Sequence, residues 1–486
     1  MARKSTKKIL LRLTGFLTLS ALFAILKIAY HFYPQFPNSV SLYQWRYNWF
    51  DRLDFHTDQW AYAAGDSIAI LASDSESGPL RLSVFDVLGR DTLFAERQIK
   101  GLDQAFREAA SIQGTQWQPI HKIEVHKKWP SGWMLVRLEN DDFVRHQSIF
   151  IEPDTSLSPK PIALLLSTNT WNAYNHWGGQ SLYSRNYTPT VSFQRPQPLS
   201  DPYLEHTYEN HQTYLQCARK DRYLAALIDS LGYEFDAYPV SYLQTHPELL
   251  QRYELLTIST HSEYWSQEML EGLNAYLDQG GNFLSFSGNT AAYDSKYDPI
   301  AQQLTVHKDA GLSQWKNLDT IGLRPFGTEY IYLGFHTYAP YEVLLDSTWL
   351  LAGTDLERGD LFGKRSDIYD YSIFYQGLWT GLSVLRRKGQ YGAASGLEVD
   401  KIYPGTPDNF VHIASGLNPS LQGRGEVYPE EEVAWDGGAG ADLGYYMHPG
   451  GGLVFNAGSM SFTGAIPYDP DIRQMISNLL ERCLGK

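Results

Sequence analysis

Apolar and polar residues alternate in short runs between residues 51 and 152. Such alternation is typical of β-strands that bury one face, because successive side chains point to opposite faces of a sheet. Turn-forming residues separate the runs at intervals of about 8–12 residues, as in β-sandwich domains. The pattern therefore predicts an immunoglobulin-like β-sandwich over residues 51–155. The clearest runs are DSIAILASD, LRLSVFDVLGRD, SGWMLVRLEND and FVRHQSIFIEP.

After residue 155 the pattern changes: PIALLLST is an uninterrupted apolar run, and further strand-like runs alternate with helical segments. Uninterrupted apolar runs are typical of strands buried on both faces. Their alternation with helices predicts an α/β domain over residues 156–486 with a doubly wound, mostly parallel sheet. Residues 300–450 are aromatic and glycine-rich, and we expect them to elaborate the carboxyl edge of that sheet. The predicted strands are PIALLLST, EFDAYPV, YELLTIST, GGNFLSFSG and GGLVFNAGS, with helices around 222–231, 266–279 and 471–482.

The first thirty residues combine basic side chains with a long apolar run. Residues 9–29 match the roughly 20 residues that a membrane-spanning helix needs. The preceding basic residues favour a cytoplasmic amino terminus. We therefore expect a transmembrane signal anchor over 1–30, an irregular linker over 31–50, and an extracytoplasmic, periplasmic or cell-surface body attached to the membrane by this helix. A cleaved signal peptide, which would make the protein secreted, stays open.

Composition and charge exclude several classes of function. The net charge of −14 and the absence of a basic stripe in the body argue against nucleic acid as a partner. The only two cysteines, Cys217 and Cys483, exclude a disulfide framework and a cysteine-rich metal site. Aromatic residues make up 14% of the chain, which fits a bulky β-rich core, a tyrosine-rich site or carbohydrate contact.

Three polar loops follow predicted strands of the α/β domain. Ligands of open α/β sheets bind beyond the carboxyl ends of the strands, so these loops are the candidate site. The first loop, after PIALLLST, includes Tyr174 and Tyr183; the second contains His261 and Glu263; the third contains Asn289. Other polar residues of the first two loops are Asn172, Asn175, His176, Ser181, Ser262 and Tyr264.

The residue types in these loops narrow the chemistry. Ser262 stays open as a nucleophile, but it lacks the Gly-x-Ser-x-Gly elbow. His176 and His261 stay open as zinc ligands without a zinc-type spacing. Two phenols and a carboxylate form a donor set that suits Fe(III), since a trivalent cation lowers the pKa of a phenol. The structural alternative makes the tyrosines interface residues and Glu263 a carboxylate at a helix start.

The loop sequences, taken together, resemble a known family. TNTWNAYNHWGGQSLY, HSEYW and the GN after the next strand are similar to the C-terminal region of the large subunit of N,N-dimethylformamidase and its relatives. GTDLERGDLFG, GLEVD and GGGLVFNAGSMSF extend the resemblance over residues 160–484. It implies a fold similar to class I glutamine amidotransferases and a mononuclear Fe(III) held by two tyrosinates and one glutamate.

The resemblance assigns roles residue by residue. Tyr174 and Tyr183 match the phenolate ligands, with Tyr187 as the alternative to Tyr183, and Glu263 matches the carboxylate ligand. His261 and Asn289 match polar residues around the metal, and Glu398 of GLEVD matches a further active-site carboxylate.

These assignments predict hydrolysis of a C–N bond in a small-molecule amide. Glu398 or His261 would carry a proton from water to the leaving amine, and Asn289 would donate to the developing oxyanion. We expect three large side chains of the first loop to form pocket walls: Trp171, His176 and Trp177.

A binding function is the main alternative to the hydrolase. A β-sandwich joined to an inert amidotransferase-like domain could hold polysaccharide by stacking on Trp and Tyr. Loss of a usable metal site would be its signature. A homo-oligomer is also compatible with the sequence.

Overall fold

The computed structural model describes residues 39–184, 188–204, 217–306, 324–330, 339–368, 392–416 and 440–485. The helices are α1 (Ser39–Trp49), α2 (Ala110–Gln113), α3 (Thr168–Tyr174), α4 (Cys217–Ser230), α5 (Tyr242–Thr245), α6 (Pro247–Leu250), α7 (Gln267–Asp278) and α8 (Pro470–Leu484). The strands up to residue 192 are β1 (Leu53–Thr57), β2 (Ala61–Tyr62), β3 (Ser67–Asp74), β4 (Pro79–Asp86), β5 (Thr92–Lys100), β6 (Pro119–Glu124), β7 (Gly132–Glu139), β8 (Val144–Ile151), β9 (Ile162–Leu166) and β10 (Thr190–Ser192). The remaining strands are β11 (Phe235–Pro239), β12 (Leu255–His261), β13 (Tyr264–Trp265), β14 (Asn282–Gly288), β15 (Tyr293–Asp298), β16 (Gln303–Val306), β17 (Glu329–Tyr330), β18 (Tyr341–Val343), β19 (Leu361–Phe362), β20 (Asp400–Lys401), β21 (Val411–Gly416), β22 (Asp442–Met447) and β23 (Leu453–Asn456).

Strands β1 to β8 form two sheets that share one hydrophobic core. One sheet has the order β1-β3-β6 and the other the order β2-β8-β7-β4-β5. In β4, Leu80, Leu82 and Val84 are buried while Arg81 and Ser83 are half-buried. The two-residue alternation of the sequence therefore determines which face of each strand enters the core.

The segment before these sheets is partly helical, so the prediction of an irregular linker over 31–50 is wrong for the residues of α1. Tyr47 of this helix is buried, and its ring lies 5.4 Å from that of Phe106, 6.5 Å from that of Trp117 and 6.3 Å from that of Trp177. These contacts hold α1 against the loop that follows β9. The sequence did not suggest a helix because aromatic side chains are spread around it rather than along one face.

A large sheet with nine described strands forms the second part of the chain. Its order is β11-β9-β12-β14-β23-β22-β21-β18-β19. The neighbours from β11 to β23 are parallel, and they include the five strands that the apolar runs predicted. The helix predicted near 266–279 is confirmed as α7, where the Ser266 side chain accepts a hydrogen bond from the Met269 backbone N–H at 3.1 Å.

The neighbours from β23 to β19 are antiparallel, so the sheet is mixed. The prediction of a doubly wound, mostly parallel, amidotransferase-like fold is therefore wrong. Antiparallel strands need only a hairpin, such as the one from β22 to β23 where Gly451 has φ 102°, and no crossover helix. Residues of 300–450 also extend the sheet itself, whereas we expected them only over its edge.

The described helices do not support the predicted membrane attachment. Within the described ranges, none combines the length and apolar character that crossing a bilayer requires. This finding contradicts the prediction of a single-pass membrane protein with an extracytoplasmic body, which we do not carry further. The segment on which that prediction rested, residues 1–30, lies outside the described residues.

Candidate active site

Three neighbouring strands end at the candidate site. Strand β12 lies between β9 and β14, and His261 pairs with Gly288 at the carboxyl ends of β12 and β14. The loops that follow these strands begin with α3, with Ser262 and with Asn289. The parallel sheet therefore gathers the three polar loops at one edge, because parallel strands end on the same side.

Four of the predicted site residues form one cluster, in which Tyr174, His261 and Glu263 are buried and Tyr183 is half-buried. The Tyr183 hydroxyl donates to Glu263 Oε1 and Oε2, each at 3.0 Å. His261 Nε2 lies 3.2 Å from Glu263 Oε2 and 3.4 Å from the Tyr174 hydroxyl oxygen. The rings of Tyr174 and Tyr183 stack with centroids 4.1 Å apart. Two phenols, an imidazole and a carboxylate are thus in mutual contact.

The loop between Tyr174 and Tyr183 folds back on itself. Gly178 and Gly179 adopt φ values of 86° and 88°, which glycine reaches without steric cost. The Leu182 backbone N–H then donates to the Ala173 carbonyl oxygen at 3.0 Å, which places Tyr183 beside Tyr174. This turn explains how residues nine positions apart stack. Tyr187, the alternative ligand, lies outside the described residues.

A buried arginine that the sequence did not indicate holds this loop in place. Arg195 Nη1 donates to the carbonyl oxygens of Trp177 and Gln180 at 2.9 and 3.0 Å, and Nη2 donates to that of Asn172 at 3.0 Å. Burial lowers the pKa of Arg195 to about 9. Its guanidinium fork matches several carbonyl groups of an irregular loop at once. No motif in the sequence marks such a residue.

The three residues predicted as pocket walls fasten the loop instead. The Trp171 ring lies 6.0 Å from Trp60 and 6.4 Å from Trp133 of the amino-terminal sheets. Trp177 packs in the aromatic cluster of α1, and His176 Nε2 lies 3.3 Å from the Ser181 hydroxyl. The contacts of the two tryptophans join the loop to the first part of the chain, and that of His176 lies within the loop.

Asn289 links the Glu263 cluster to Glu398. Its Nδ2 donates to Glu398 Oε2 at 2.8 Å and to Glu263 Oε1 at 3.3 Å. Donation to an oxyanion, as the sequence predicted, would require these contacts to open. Its Oδ1 is buried and has no hydrogen-bond partner among the described residues. Asn289 therefore aligns the two carboxylates, and its Oδ1 stays available to accept a hydrogen bond or to contact a ligand.

The backbone around these residues is unusual for residues with a side chain. Thr260, Asn289 and Glu398 have φ values of 59°, 53° and 49°. Such angles cost free energy in non-glycine residues and cluster at functional sites. A Cβ at Gly288 would lie 2.0 Å from the Glu398 carbonyl oxygen, so only glycine lets the two segments approach.

The electrostatics of the cluster favour proton exchange near neutral pH. Burial raises the pKa of Glu398 to about 7, although the charge of His261 opposes that change. Burial lowers the pKa of His261, but Glu263 and Glu398 outweigh it and leave this pKa above its ordinary value. Burial and the Glu263 charge hold the pKa of Tyr183 well above that of a free phenol. Without a cation, Tyr183 is therefore protonated.

Three further tyrosines surround the cluster and were not among the predicted site residues. Tyr264 donates to the Tyr183 hydroxyl oxygen at 2.5 Å, and Tyr293 stacks on Tyr264. Tyr330 hydrogen-bonds to Glu398. Tyr264 and Tyr293 stand inside the quoted loops and could have been chosen from their position. Tyr330 lies in the segment whose pattern was unreadable.

The alternatives left open by the sequence fare less well. Ser262 Oγ accepts a hydrogen bond from Trp265 Nε1 at 2.9 Å, and the described residues show no hydrogen bond between the Ser262 hydroxyl and the His261 ring. Both cysteines are free, and burial raises the pKa of Cys217 to about 12, which disfavours a thiolate. Neither arrangement is typical of a nucleophile.

The donor chemistry decides which metal would fit. In the part of the chain that the structure describes, no group of three or more His, Cys, Asp and Glu side chains is placed to hold a metal ion. The cluster offers phenol oxygens and a carboxylate, and these hard donors suit a trivalent cation. The buried Asn289 Oδ1, which has no hydrogen-bond partner among the described residues, adds an oxygen acceptor that a ligand of the site could use.

Comparison with known proteins shows the family of the chain. Residues 90–474 match the family described as N,N-dimethylformamidase beta subunit-like, C-terminal. The N,N-dimethylformamidase beta subunit of Alcaligenes sp is 23% identical over 429 residues, or 76% of this chain and 55% of the relative. That of Paracoccus aminophilus is 22% identical over 284 residues, covering 54% of this chain and 36% of the relative.

The chain thus spans about half the length of the first relative and about a third of the second. Among solved structures, Faecalibacterium prausnitzii beta-glucuronidase matches with a TM-score of 0.17 and 7% identity, covering 49% of this chain and 28% of that one, which carries no argument about the fold. The family match includes all six predicted site residues and most of the chain. The chain belongs to the N,N-dimethylformamidase beta subunit-like family.

Proposed function

We propose that this chain hydrolyses an amide-type C–N bond at a mononuclear Fe(III) centre held by Tyr174, Tyr183 and Glu263. The observation that carries the proposal is the contact of the Tyr183 hydroxyl with both Glu263 oxygens at 3.0 Å, beside the stacked ring of Tyr174. Membership of the dimethylformamidase-like family supports an amide as the substrate class.

Fe(III) bound there would supply Lewis acidity toward the substrate carbonyl. The remaining chemistry falls to side chains of this chain. Glu398, with a pKa of about 7 before metal binding, can accept a proton from the attacking water and return it to the leaving amine nitrogen. Asn289 Nδ2 holds Glu398 at 2.8 Å, which fixes the direction in which its carboxylate acts.

His261 is placed to support the carboxylate ligand. Its Nδ1 lies 3.2 Å from the Gly288 carbonyl oxygen, and its Nε2 lies 3.2 Å from Glu263 Oε2. If Nδ1 donates to the carbonyl, Nε2 of the neutral ring is an acceptor, and a protonated ring donates to Glu263. His261 can therefore share the proton-transfer role with Glu398, as the sequence suggested.

The binding-module alternative predicted that the metal-type site would be degraded. The described side chains are instead brought together with complementary contacts, which favours the hydrolase. A zinc site built on His261 and Glu263 remains the metal alternative, and metal analysis separates the two.

The test is metal analysis and visible spectroscopy of the full chain produced with added iron. We expect about one iron per chain and a visible absorption band, since Fe(III)–phenolate bonds absorb visible light. Tyr174→Phe and Glu263→Ala should each remove most of the iron. Tyr276→Phe is the matched control, because its hydroxyl donates to the Tyr253 carbonyl oxygen near the amino end of β12, at the opposite end of that strand from the site.

Wild-type protein without iron would overturn the proposal. Zinc at full occupancy would show that the site binds zinc in place of iron. Substrate class is tested on the iron-loaded protein with a panel of linear amides, with release of the amine as the measured product. If iron-loaded protein releases no amine from any of these amides, the proposed metal site stands and the proposed amidase activity is overturned.

A further inference from the structure

Tyr264 makes the shortest phenol contact of the candidate site. Its hydroxyl lies 2.5 Å from the Tyr183 hydroxyl oxygen, and its side chain is fully buried. The direction of the bond follows from Glu263. An ionised carboxylate only accepts, so Tyr183 donates its own proton to Glu263 and its oxygen must accept from Tyr264.

Tyr264 is positioned by strand pairing and by helix α3, and not by the turn that carries Tyr183. Strand β13 pairs with β15 so that Tyr264 lies opposite Tyr293, and the two rings stack at 5.1 Å with an interplanar angle of 11°. The Tyr264 carbonyl oxygen accepts from Asn169 Nδ2 at 3.1 Å. A rigid donor therefore faces a residue that sits on an irregular loop.

Tyr183 lies on an irregular loop, where a fixed donor would hold its hydroxyl oxygen in place. Tyr183 follows the Gly178-Gly179 turn, and its backbone N–H donates to the Ser181 hydroxyl at 3.1 Å. When Tyr183 loses its proton on binding a metal, its oxygen can still accept from Tyr264. A hydrogen bond to an ionised acceptor is shorter and stronger than one between neutral groups.

We propose that Tyr264 is a positioning residue whose hydroxyl donates to the Tyr183 oxygen, holds it beside Glu263, and limits the electron density that the phenolate gives to the metal. The first part, the hydrogen bond and the position of Tyr183, requires no metal. The second part rests on the proposed Fe(III) centre.

The metal-free protein tests the first part. A buried hydroxyl proton in a short oxygen–oxygen hydrogen bond gives a far-downfield, slowly exchanging proton NMR signal. Tyr238 and Tyr253 share another short phenol hydrogen bond, so the Tyr264 signal is identified by substitution. We expect one far-downfield signal of the wild-type protein to be lost in Tyr264→Phe and all of them to be retained in Tyr276→Phe. Equal unfolding transitions would show that the variants are folded. Far-downfield signals that are the same in wild type and Tyr264→Phe overturn the hydrogen bond.

The iron-loaded protein tests the second part. Loss of the donor makes the Tyr183 phenolate more electron-rich, so the visible charge-transfer band of Tyr264→Phe should move to lower energy. Iron affinity should fall by about tenfold or less, the range for one hydrogen bond. An unshifted band overturns the electronic role. Loss of iron as complete as in Tyr174→Phe would instead make Tyr264 a ligand, contrary to the proposal. A wild type without iron would overturn the proposed function and the electronic role, while the NMR result would still decide the positioning role.

Discussion

The two halves of the large sheet contribute to the site in different ways. The segments that follow the parallel strands carry Tyr174, at the end of α3 after β9, Glu263 after β12 and Asn289 after β14. The antiparallel half lies beside the segment that carries Glu398, which reaches the site only because Gly288 admits its backbone. Tyr174 and Glu263 thus lie close to the ends of regular strands or helices, whereas Tyr183 and Glu398 lie in irregular segments.

Buried carboxylates in the two halves differ in the direction of their pKa shifts. Asp221, on α4 against the parallel half, accepts from the Ser259 and Thr260 hydroxyls, and burial raises its pKa to about 7. Asp442, in antiparallel β22, is equally buried, but Lys401 Nζ lies 2.9 Å from its Oδ1 and brings its pKa well below the ordinary value. A buried carboxylate is therefore neutral or charged according to its partner, and burial alone does not decide it.

The largest effect should separate the roles of the two glutamates. Glu398→Gln should reduce amide hydrolysis by about 100-fold or more, the range for a lost general acid–base, while iron stays bound. Glu263→Gln should lose both iron and activity. Metal content and amine release measured on the same samples check this. Loss of iron in Glu398→Gln would indicate that both carboxylates bind the metal. The two halves of the sheet would then not differ in the role of their glutamates.

Asp442→Asn should destabilise the protein by about 3–5 kcal/mol at pH 7, because it breaks a buried ion pair. The pKa of Asp442 is lower in the folded state, so its contribution is present above about pH 4 and declines as the pH falls further. Urea unfolding at several pH values measures this, with the exposed Asp141→Asn as control, for which less than about 1 kcal/mol is expected. A loss independent of pH would argue against the ion pair.

Gly288→Ala tests the junction of the halves. The new Cβ would meet the Glu398 carbonyl oxygen at 2.0 Å, and we expect a loss of about 1–3 kcal/mol in the free energy of unfolding, together with displacement of Glu398. Gly78→Ala is the control, since a Cβ there has nothing within 4 Å. Equal stability of the two variants would show that the segments can separate freely.

The smallest effect concerns Asp221. Its pKa is raised in the folded state, so the folded protein binds more protons between about pH 4 and 7 and loses stability as the pH rises through that window. Asp221→Asn removes this loss. The free energy of unfolding of the variant relative to wild type should therefore rise by more than about 1 kcal/mol between pH 4 and pH 8. Unfolding curves at both pH values measure the difference. Parallel pH profiles for the two proteins would mean that Asp221 stays charged.

The parallel part of the fold could be predicted because its strands are rich in apolar residues and buried on both faces, and its helices carry one apolar face. The antiparallel part was not, since β18, β19 and β21 are short and the sequence around them is aromatic and glycine-rich. Hydrophobic periodicity also carries no information on strand direction. The sequence therefore predicted several individual strands correctly but not the antiparallel direction that makes the sheet mixed.

The candidate site divides in the same manner. Tyr174, His261, Glu263 and Asn289 follow from strand ends and from the family motifs, and the structure brings them into contact with one another or with Glu398. Arg195, Tyr264 and Tyr330 did not follow, because each acts through a neighbour that is distant in sequence or through a loop without a motif.

By itself the sequence determined the apolar runs, the family and the types of donor atom, because these depend on local composition and order. Only the tertiary structure decided that half of the sheet is antiparallel, that Trp171 and Trp177 fasten a loop, and that Asn289 bridges Glu263 and Glu398. Those features arise from contacts between segments far apart in the chain. Their free energies depend on burial and distance, which no local pattern encodes.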